Sequence, residues 1–534
     1  MVNWGLERLD RIARIGSHVV VWTIVLVPTI VEMARGWRPL LGDDATITLR
    51  AYQVLSLHPP LVGMHSDAQI PGHILYDLGP LQFALLSVPV HIDHAQGALW
   101  GSALILGAVL SFAIEAMWSV RRWFACVLVA LAVADLAWTV PSVFGHQLWN
   151  ANFGLVFLLV SIVLAWAVAL GSFGWWPVLV FTASVTAQAQ LFYASIVVAL
   201  VVITPLLGIW HSGRPRRLRW LPVGVGVGVL CWLAPLLQEA FGSFGNMTGL
   251  LQARRQASMG LAYGLRNLGG IIWPGPLPVR QYDPNSSFTS LGSKPAVAGI
   301  VVLLVIALIA VGAVLSKRKD LAALATISLI CSGCVVVDFA SVPRANLGSL
   351  PWLVEMLWVV ATLWWLVVAW AVVETVRAWS RHAVAAGRRP TPALVAGGLV
   401  GALVLLLLAG IWKLPSQSSV DPVNPEEGLQ VGAIVRTVAD KLPPGTVALR
   451  FSPTPPLTTG SSPVNWVEYQ YGQALLWQLT ADGYTPQMQP YFTEFSGLTY
   501  PPSGPSPIVH VTMTDDSWSS VVKKVAIDSP RRRG

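Results

Sequence analysis

A chain of 534 residues that is 54% hydrophobic and 11% charged, with a mean hydropathy of +0.62, is too apolar to be an ordinary soluble protein. Its 25 Trp suit a chain that crosses many membrane–water interfaces. The net charge of +8 does not point to nucleic acid, because the Lys and Arg residues sit in short loops between apolar spans.

No secretory cleavage pattern precedes the first span. Arg8, Arg11 and Arg14 lie ahead of it and predict a start-anchor with a cytoplasmic N-terminus. A hydrocarbon core takes about 20 apolar residues per helix. That length predicts spans near 17–34, 96–119, 123–142, 152–171, 176–190, 192–210, 220–238, 296–316, 320–340, 351–376 and 393–412, about eleven in all. The boundary between 176–190 and 192–210 can also be drawn differently around Gln188 and Gln190. Basic residues fall in alternate loops: Arg121–Arg122, then Arg214, Arg216, Arg217 and Arg219, then Lys317–Lys319, then Arg377, Arg381, Arg388 and Arg389. Loops of this kind stay cytoplasmic, so the C-terminus is expected outside.

Leu78–Ile92 is apolar but too short to span, and Pro80 and Pro89 interrupt it. It reads as an interfacial or re-entrant helix. Three pieces remain outside: about 35–94, about 239–294, and the tail from Lys413. The tail predicts helices over Gly428–Leu442, Asn465–Leu479 and Trp518–Ile527, and strands over Thr446–Phe451 and Ile508–Met513. The expected fold class is an α-helical polytopic membrane protein, residues 1–412, with a small extracytoplasmic α/β domain, residues 413–534. Cys126, Cys231, Cys331 and Cys334 lie in apolar spans and read as packing residues.

Ionisable residues in spans usually face a cavity. Asp135, His146, Asn150, Asn152, Gln188, Gln190, Gln238, Glu239, Asp338, Arg344 and Glu355 gather near the outer span ends. A transporter would place such groups near the midplane, open to each side in turn. The first outer loop opens with Asp43-Asp44 and continues through Arg50, His58, His65, Asp67, His73 and Asp77. One Asp can cap a helix, but neighbours on a helix diverge by about 100°, so both cannot serve the same bond. A carboxylate at the mouth of an outer cavity suits a general base acting on a hydroxyl. Arg254 and Arg255, with Arg266, match phosphate oxygens by their planar fork; a solvated basic face is the competing reading. His58, His65 and His73 match no zinc spacing.

An N-in first helix followed by an outer loop starting with an acidic pair resembles the GT-C glycosyltransferases, multispan enzymes that use polyprenyl-phosphate-linked sugars. His58–Gly63 (HPPLVG) and Asp77–Ile92 resemble that superfamily's interfacial helices, and the following span ends in Arg121–Arg122. Leu148–Leu159 and Trp232–Leu251 are most similar to actinobacterial members, including cell-wall arabinosyl- and mannosyltransferases. Where such relatives carry a Trp-Asn-Pro-like element, this chain has Trp149-Asn150-Ala151. The resemblance covers about residues 15–410. It implies an inverting hexosyl or pentosyl transfer from a polyprenyl-phospho-sugar to a cell-envelope glycan or glycolipid at the extracytoplasmic membrane face. Asp43 would take the acceptor proton, and Arg254, Arg255 and Arg266 would hold the phosphate. Arg50, His58, His65, Asp77, His146, Asn150, Gln188, Gln190, Glu239 and Asp338 would line the cavity. Some relatives use a divalent metal (Mg or Mn) and many do not, so no cofactor is fixed; Asp44 would serve either case. Trp466, Tyr469, Tyr471 and Trp477 are either domain core or an acceptor-glycan contact. The alternatives are a lipid or solute transporter and a non-catalytic envelope assembly protein.

Overall fold

The computed structural model describes residues 2–34, 39–70, 73–212, 219–242, 244–254, 257–273, 277, 296–344, 351–385, 425–452, 466–487, 507–513 and 522–528. Helix α1 (Val2–Ala34) is followed by α2 (Gly42–Gln53), a hairpin of β1 (His65–Ile70) and β2 (His73–Tyr76), and α3 (Leu81–Ile92). The chain then enters α4 (Gly97–Thr139), which is helical throughout but not straight. Cys126 Sγ lies 3.5 Å from Ile114 O, whereas twelve residues of straight helix span about 18 Å. The helix doubles back around residues 121–122 into limbs Gly97–Val120 and Phe124–Thr139. The two expected spans are therefore present, joined without a break in helical backbone.

Next come α5 (Ser142–Gly145), α6 (Asn150–Ala169), α7 (Trp176–Ala189), α8 (Ala194–Ser212), α9 (Trp220–Phe241), α10 (Asn246–Ala253), α11 (Leu261–Gly269), α12 (Ala296–Leu315), α13 (Lys319–Ser341) and α14 (Met356–Ala385). Seven described helices are long and apolar enough to cross a membrane, and the chain is a multi-pass membrane protein. The span expected at 393–412 lies outside the described residues. Helix α6 sits at the centre, with nearly every side chain buried. Among the outer helices, α9 buries only Gly224, Cys231 and Pro235 and shows Val225, Leu230 and Leu233 to the surroundings, as a lipid-facing helix must. Short α11 wedges between α12 and α13. A Cβ on Gly264 would stand 2.1 Å from Val336 O, and one on Gly299 would stand 2.1 Å from Leu265 O, so only glycine permits that approach.

The two ends of the bundle differ. At one end Arg14 pairs with Glu115 and Arg318 with Glu374, and Lys319 Nζ donates to His211 O at 3.0 Å. At the other end lie α2, α3, and the helix ends and turns carrying Asp77, Asn150, Gln190, Asp338 and Glu355. The expected interfacial segment is α3, twelve residues long, laid against α2 and the first limb of α4.

The C-terminal unit contains α15 (Pro425–Lys441), β3 (Thr446–Ser452), α16 (Trp466–Ala481), β4 (Thr485–Gln487), β5 (Ile508–Met513) and β6 (Val522–Asp528). Its sheet runs β4-β3-β5-β6, with β3 parallel to both neighbours and β6 antiparallel to β5. The last helix expected at Trp518–Ile527 is instead strand β6. Val525 and Ile527 alternate on one face and pair with buried Val511 and Val509, so a period of two prevails. Trp518 itself lies outside the described residues. Tyr471 and Trp477 are both 0% exposed, which makes them core and removes them as direct glycan contacts. The side chains of Trp466 and Tyr469 lie outside the described residues.

Candidate active site

Asp43 and Asp44 stand in the first turn of α2, where the helix dipole favours negative charge. Neither caps the helix. The N-cap is Leu41, with no side-chain bond, and Gly42 enters the helix at φ +47°, a left-handed value that suits glycine. The capping explanation for the pair is thereby excluded, and both carboxylates project to other partners. Trp149 Nε1 donates to Asp43 Oδ2 at 2.9 Å. His146 Nε2 is 2.7 Å from Asp44 Oδ2. The two rings lie nearly parallel, 6.0 Å apart at 12°. The 100° divergence of helix neighbours lets one turn of α2 meet both ends of a four-residue loop.

That loop, 146–149, is built to hold still. Gln147 Nε2 donates to Val25 O at 2.7 Å, to Phe144 O at 2.9 Å and to Thr29 Oγ1 at 3.2 Å. Gln82 of α3 donates to Leu148 O at 2.6 Å, and Asn152 Nδ2 donates to both Ser142 O and His146 O at 2.9 Å. Asn150, the first residue of α6, donates to Asp77 Oδ2 at 3.0 Å and to Ala189 O at 2.9 Å. The hairpin loop, α6 and the end of α7 therefore meet at one point. Gln188 tethers α3 and α9: its Oε1 accepts from Leu81 N at 3.3 Å and its Nε2 donates to Cys231 O at 2.8 Å. Gln190 is buried where α7 ends.

Asp44 Oδ1 is buried and has no hydrogen-bond partner among the described residues. Leaving a buried polar atom unpaired costs roughly 1–3 kcal/mol, more for a charged one. Glu355 Oε2, 1% exposed at the residue level, is the other carboxylate oxygen of this kind among the described residues, where twelve further buried polar atoms also lack partners, and Glu355 lies within electrostatic range of His146. Among the described residues no three His, Cys, Asp or Glu side chains are grouped as a metal site. His146 Nε2 and Trp149 Nε1 already occupy one oxygen of each Asp.

A second cluster joins α8, α13 and the loop after α10. Ser195 Oγ donates to Asp338 Oδ2, and Arg254 Nη2 stands 3.5 Å from Asp338 Oδ1 and 3.3 Å from Ser341 Oγ. The Arg254 side chain remains 52% exposed. The loop beyond it is laced to the end of α13 by Met259 N to Val342 O, Gly260 N to Ala340 O and Arg344 N to Ala257 O. Arg344 is exposed on that ledge, and its Nε donates to Ser258 O at 3.1 Å. Arg255 lies outside the described residues, and Arg266 is exposed on α11.

Other expected cavity residues serve elsewhere. His58 is an exposed loop residue. Glu239 caps α10, accepting from Met247 N at 2.8 Å and from Thr248. Arg50 is buried with its guanidinium 5.8 Å over the Phe83 ring; burial lowers it to about 10, which leaves it charged at neutral pH. His65 packs edge-on to Tyr76 in the hairpin, and burial pushes its imidazole down to about 4. The sequence placed Arg344 and Glu355 near the outer span ends and marked Trp149 in the Trp149-Asn150-Ala151 stretch, but gave none of the three a role toward the acidic pair. The partners of Asp43 and Asp44 are about a hundred residues away in sequence, and no local pattern marks them.

The fold and these residues define a polytopic membrane protein with an acidic site at one membrane face, fixed between an interfacial helix and the start of a central span. No protein-family model matches the chain, and no curated protein matches it. Among solved structures it is similar to ArnT from Cupriavidus metallidurans bound to undecaprenyl phosphate: 15% identity, 96% of this chain and 97% of that one covered, TM-score 0.46. The apo form of the same enzyme gives 14% identity, coverage of 99% and 98%, and TM-score 0.46. The archaeal oligosaccharyltransferase AglB from Archaeoglobus fulgidus, in complex with an inhibitory peptide and a dolichol-phosphate, gives 11% identity, coverage of 95% and 70%, and TM-score 0.40. Likenesses at these scores carry no functional weight.

Proposed function

We propose that the chain is a GT-C-type membrane glycosyltransferase that moves a sugar, with inversion, from a polyprenyl-phosphate donor to a hydroxyl of a cell-envelope glycan or glycolipid. The site would face the extracytoplasmic side. The observation that carries the reading is the Asp43–Asp44 pair, held by the 146–149 loop, with a buried Asp44 oxygen that meets no donor among the described residues.

In this reading Asp43, the more exposed of the two, takes the acceptor hydroxyl proton as general base. The indole N–H on its other oxygen fixes its orientation. Asp44 Oδ1 accepts a hydrogen bond from a neighbouring sugar hydroxyl and so aligns the attack. The acceptor oxygen bonds to the anomeric carbon as the bond from that carbon to the phosphate oxygen breaks. The electron pair leaves with polyprenyl phosphate, and Arg254 and Arg344 stabilise the charge that develops there. One base and one displacement give inversion, and no step is routed through a metal.

The test is transfer from radiolabelled polyprenyl-phospho-sugars by purified protein in lipid. Glycosylated product that disappears in Asp43→Asn supports the reading. Substrate flux across liposomes without a covalent product would assign the chain to transport instead.

A further inference from the structure

We propose that the C-terminal α/β unit is a working part of this site: Trp477 of α16, packed on Tyr52, holds α2 so that Asp43 and Asp44 stay in register with the 146–149 loop. The inference rests on the reading of the acidic pair as the reacting centre. It assigns the tail a positioning task rather than an acceptor-binding one.

The packing is the first argument. Leu41, Ala45, Ile47, Leu49 and Ala51 of the α2 region share one apolar cluster with residues of α15, β3, α16 and β5. The helix that carries the acidic pair thus has its core completed by the C-terminal unit on one side and by α3 on the other. Removal of one side exposes buried aliphatic surface on α2 itself.

The ring cluster at the far end of α2 is the second. Tyr52 stacks on His91 of α3 with centroids 4.6 Å apart at 14°, and meets Trp477 edge-on at 5.8 Å and 63°. His94 closes the cluster, 5.4 Å from Tyr52 and 6.4 Å from Trp477. Trp477 is 0% exposed, and its Nε1 meets no acceptor among the described residues. Its ring meets Tyr52 and His94 edge-on, the arrangement in which aromatic pairs attract.

Leverage is the third. Tyr52 lies nine residues after Asp43 on one 12-residue helix, about 13 Å along its axis. The near end of α2 is tied by the two carboxylates, the far end by these rings. When the far anchor goes, the helix pivots and the near end moves. A displacement of 1 Å at reacting groups costs about a hundredfold in rate.

The experiment uses the full-length protein in lipid, with Trp477→Ala, Tyr52→Ala and the conservative Trp477→Phe. Hydrogen exchange is followed peptide by peptide, and transfer is followed with the donor and acceptor of the preceding test. Both alanine variants are expected to speed exchange of the α2 amides, including residues 43–46, by about tenfold while α6 is unchanged. They should cut kcat about a hundredfold with the acceptor KM held within about threefold. Trp477→Phe should restore both. Unchanged α2 exchange overturns the proposal, as does accelerated exchange with full kcat, or an effect confined to the acceptor KM. Global unfolding of Trp477→Ala is recognised by faster exchange in α6, and Tyr52→Ala then decides. If wild-type protein transfers no sugar but α2 loosens as expected, the mechanical coupling stands and the proposed reaction fails.

Discussion

The two carboxylates of the acidic pair sit in different surroundings, and their substitutions should separate. Asp43→Asn keeps an acceptor oxygen for Trp149 but removes the base, so transfer is expected to fall about 10²–10⁴-fold with melting temperature unchanged. Asp44→Asn keeps the shape but weakens the bond to His146, so a smaller loss, about tenfold to a hundredfold, should accompany a raised acceptor KM. Equal losses in the two variants would contradict this division of labour. His65 offers a test that needs no substrate. Its imidazole protonates near the ordinary value of 6.5 when unfolded and near 4 when folded, so the unfolded state binds the proton more readily between those values. Stability therefore rises with pH across that window and is lost as pH falls through it, by up to about 3 kcal/mol. Melting curves from pH 4 to 7 should show this slope, and His65→Asn should flatten it.

The elements that hold the site were unequally visible in sequence. Spans were legible because 20 apolar residues have few other uses, and even the Arg121–Arg122 reversal in α4 declared itself by charge. Helix α3 was legible from its length and its prolines. The β1–β2 hairpin was not, because HSDAQI and HILY are short and lack clean alternation. Strand β6 was misread because Lys523 and Lys524 broke the alternation and an amphipathic helix fitted equally well. The 146–149 loop was visible in part, through His146 and the Trp149-Asn150-Ala151 stretch, but the bonds from His146 to Asp44 and from Trp149 to Asp43 join residues about a hundred positions apart and leave no local pattern. Its stiffness can be measured. Gln147→Leu removes donors to Val25 O, Thr29 Oγ1 and Phe144 O while keeping the side chain's bulk. It should cost about 1–3 kcal/mol of stability. Transfer should fall about tenfold or more although Gln147 touches no substrate. An unchanged melting temperature would show that the loop is held by other means.

At the scale of the whole molecule, chemistry is sorted between the two ends of the bundle. Arg14, Arg318 and Lys319 pair or cap at one end; Asp44, Asp77, Asp338 and Glu355 converge at the other. Basic loops are retained in the cytoplasm, so the acidic end should face outward, and the C-terminal unit, which shares its core with α2, must lie on that side too. This orientation is open to direct measurement, because the four native Cys lie in or beside helices, three of them buried. In a background with those residues replaced, Leu57→Cys (Leu57 is 95% exposed in the first loop) and Thr437→Cys on α15 should react with a membrane-impermeant maleimide on intact cells. Lys317→Cys, between α12 and α13, should react only after permeabilisation. Labelling of Lys317→Cys from outside would invert the molecule and place the acidic pair in the cytosol. Opposite behaviour at positions 57 and 437 would break the shared core of α2 and the C-terminal unit, and with it the coupling assigned to Trp477. Only the pattern with 57 and 437 outside and 317 inside leaves the acidic pair on the extracytoplasmic side, as the proposed transfer requires.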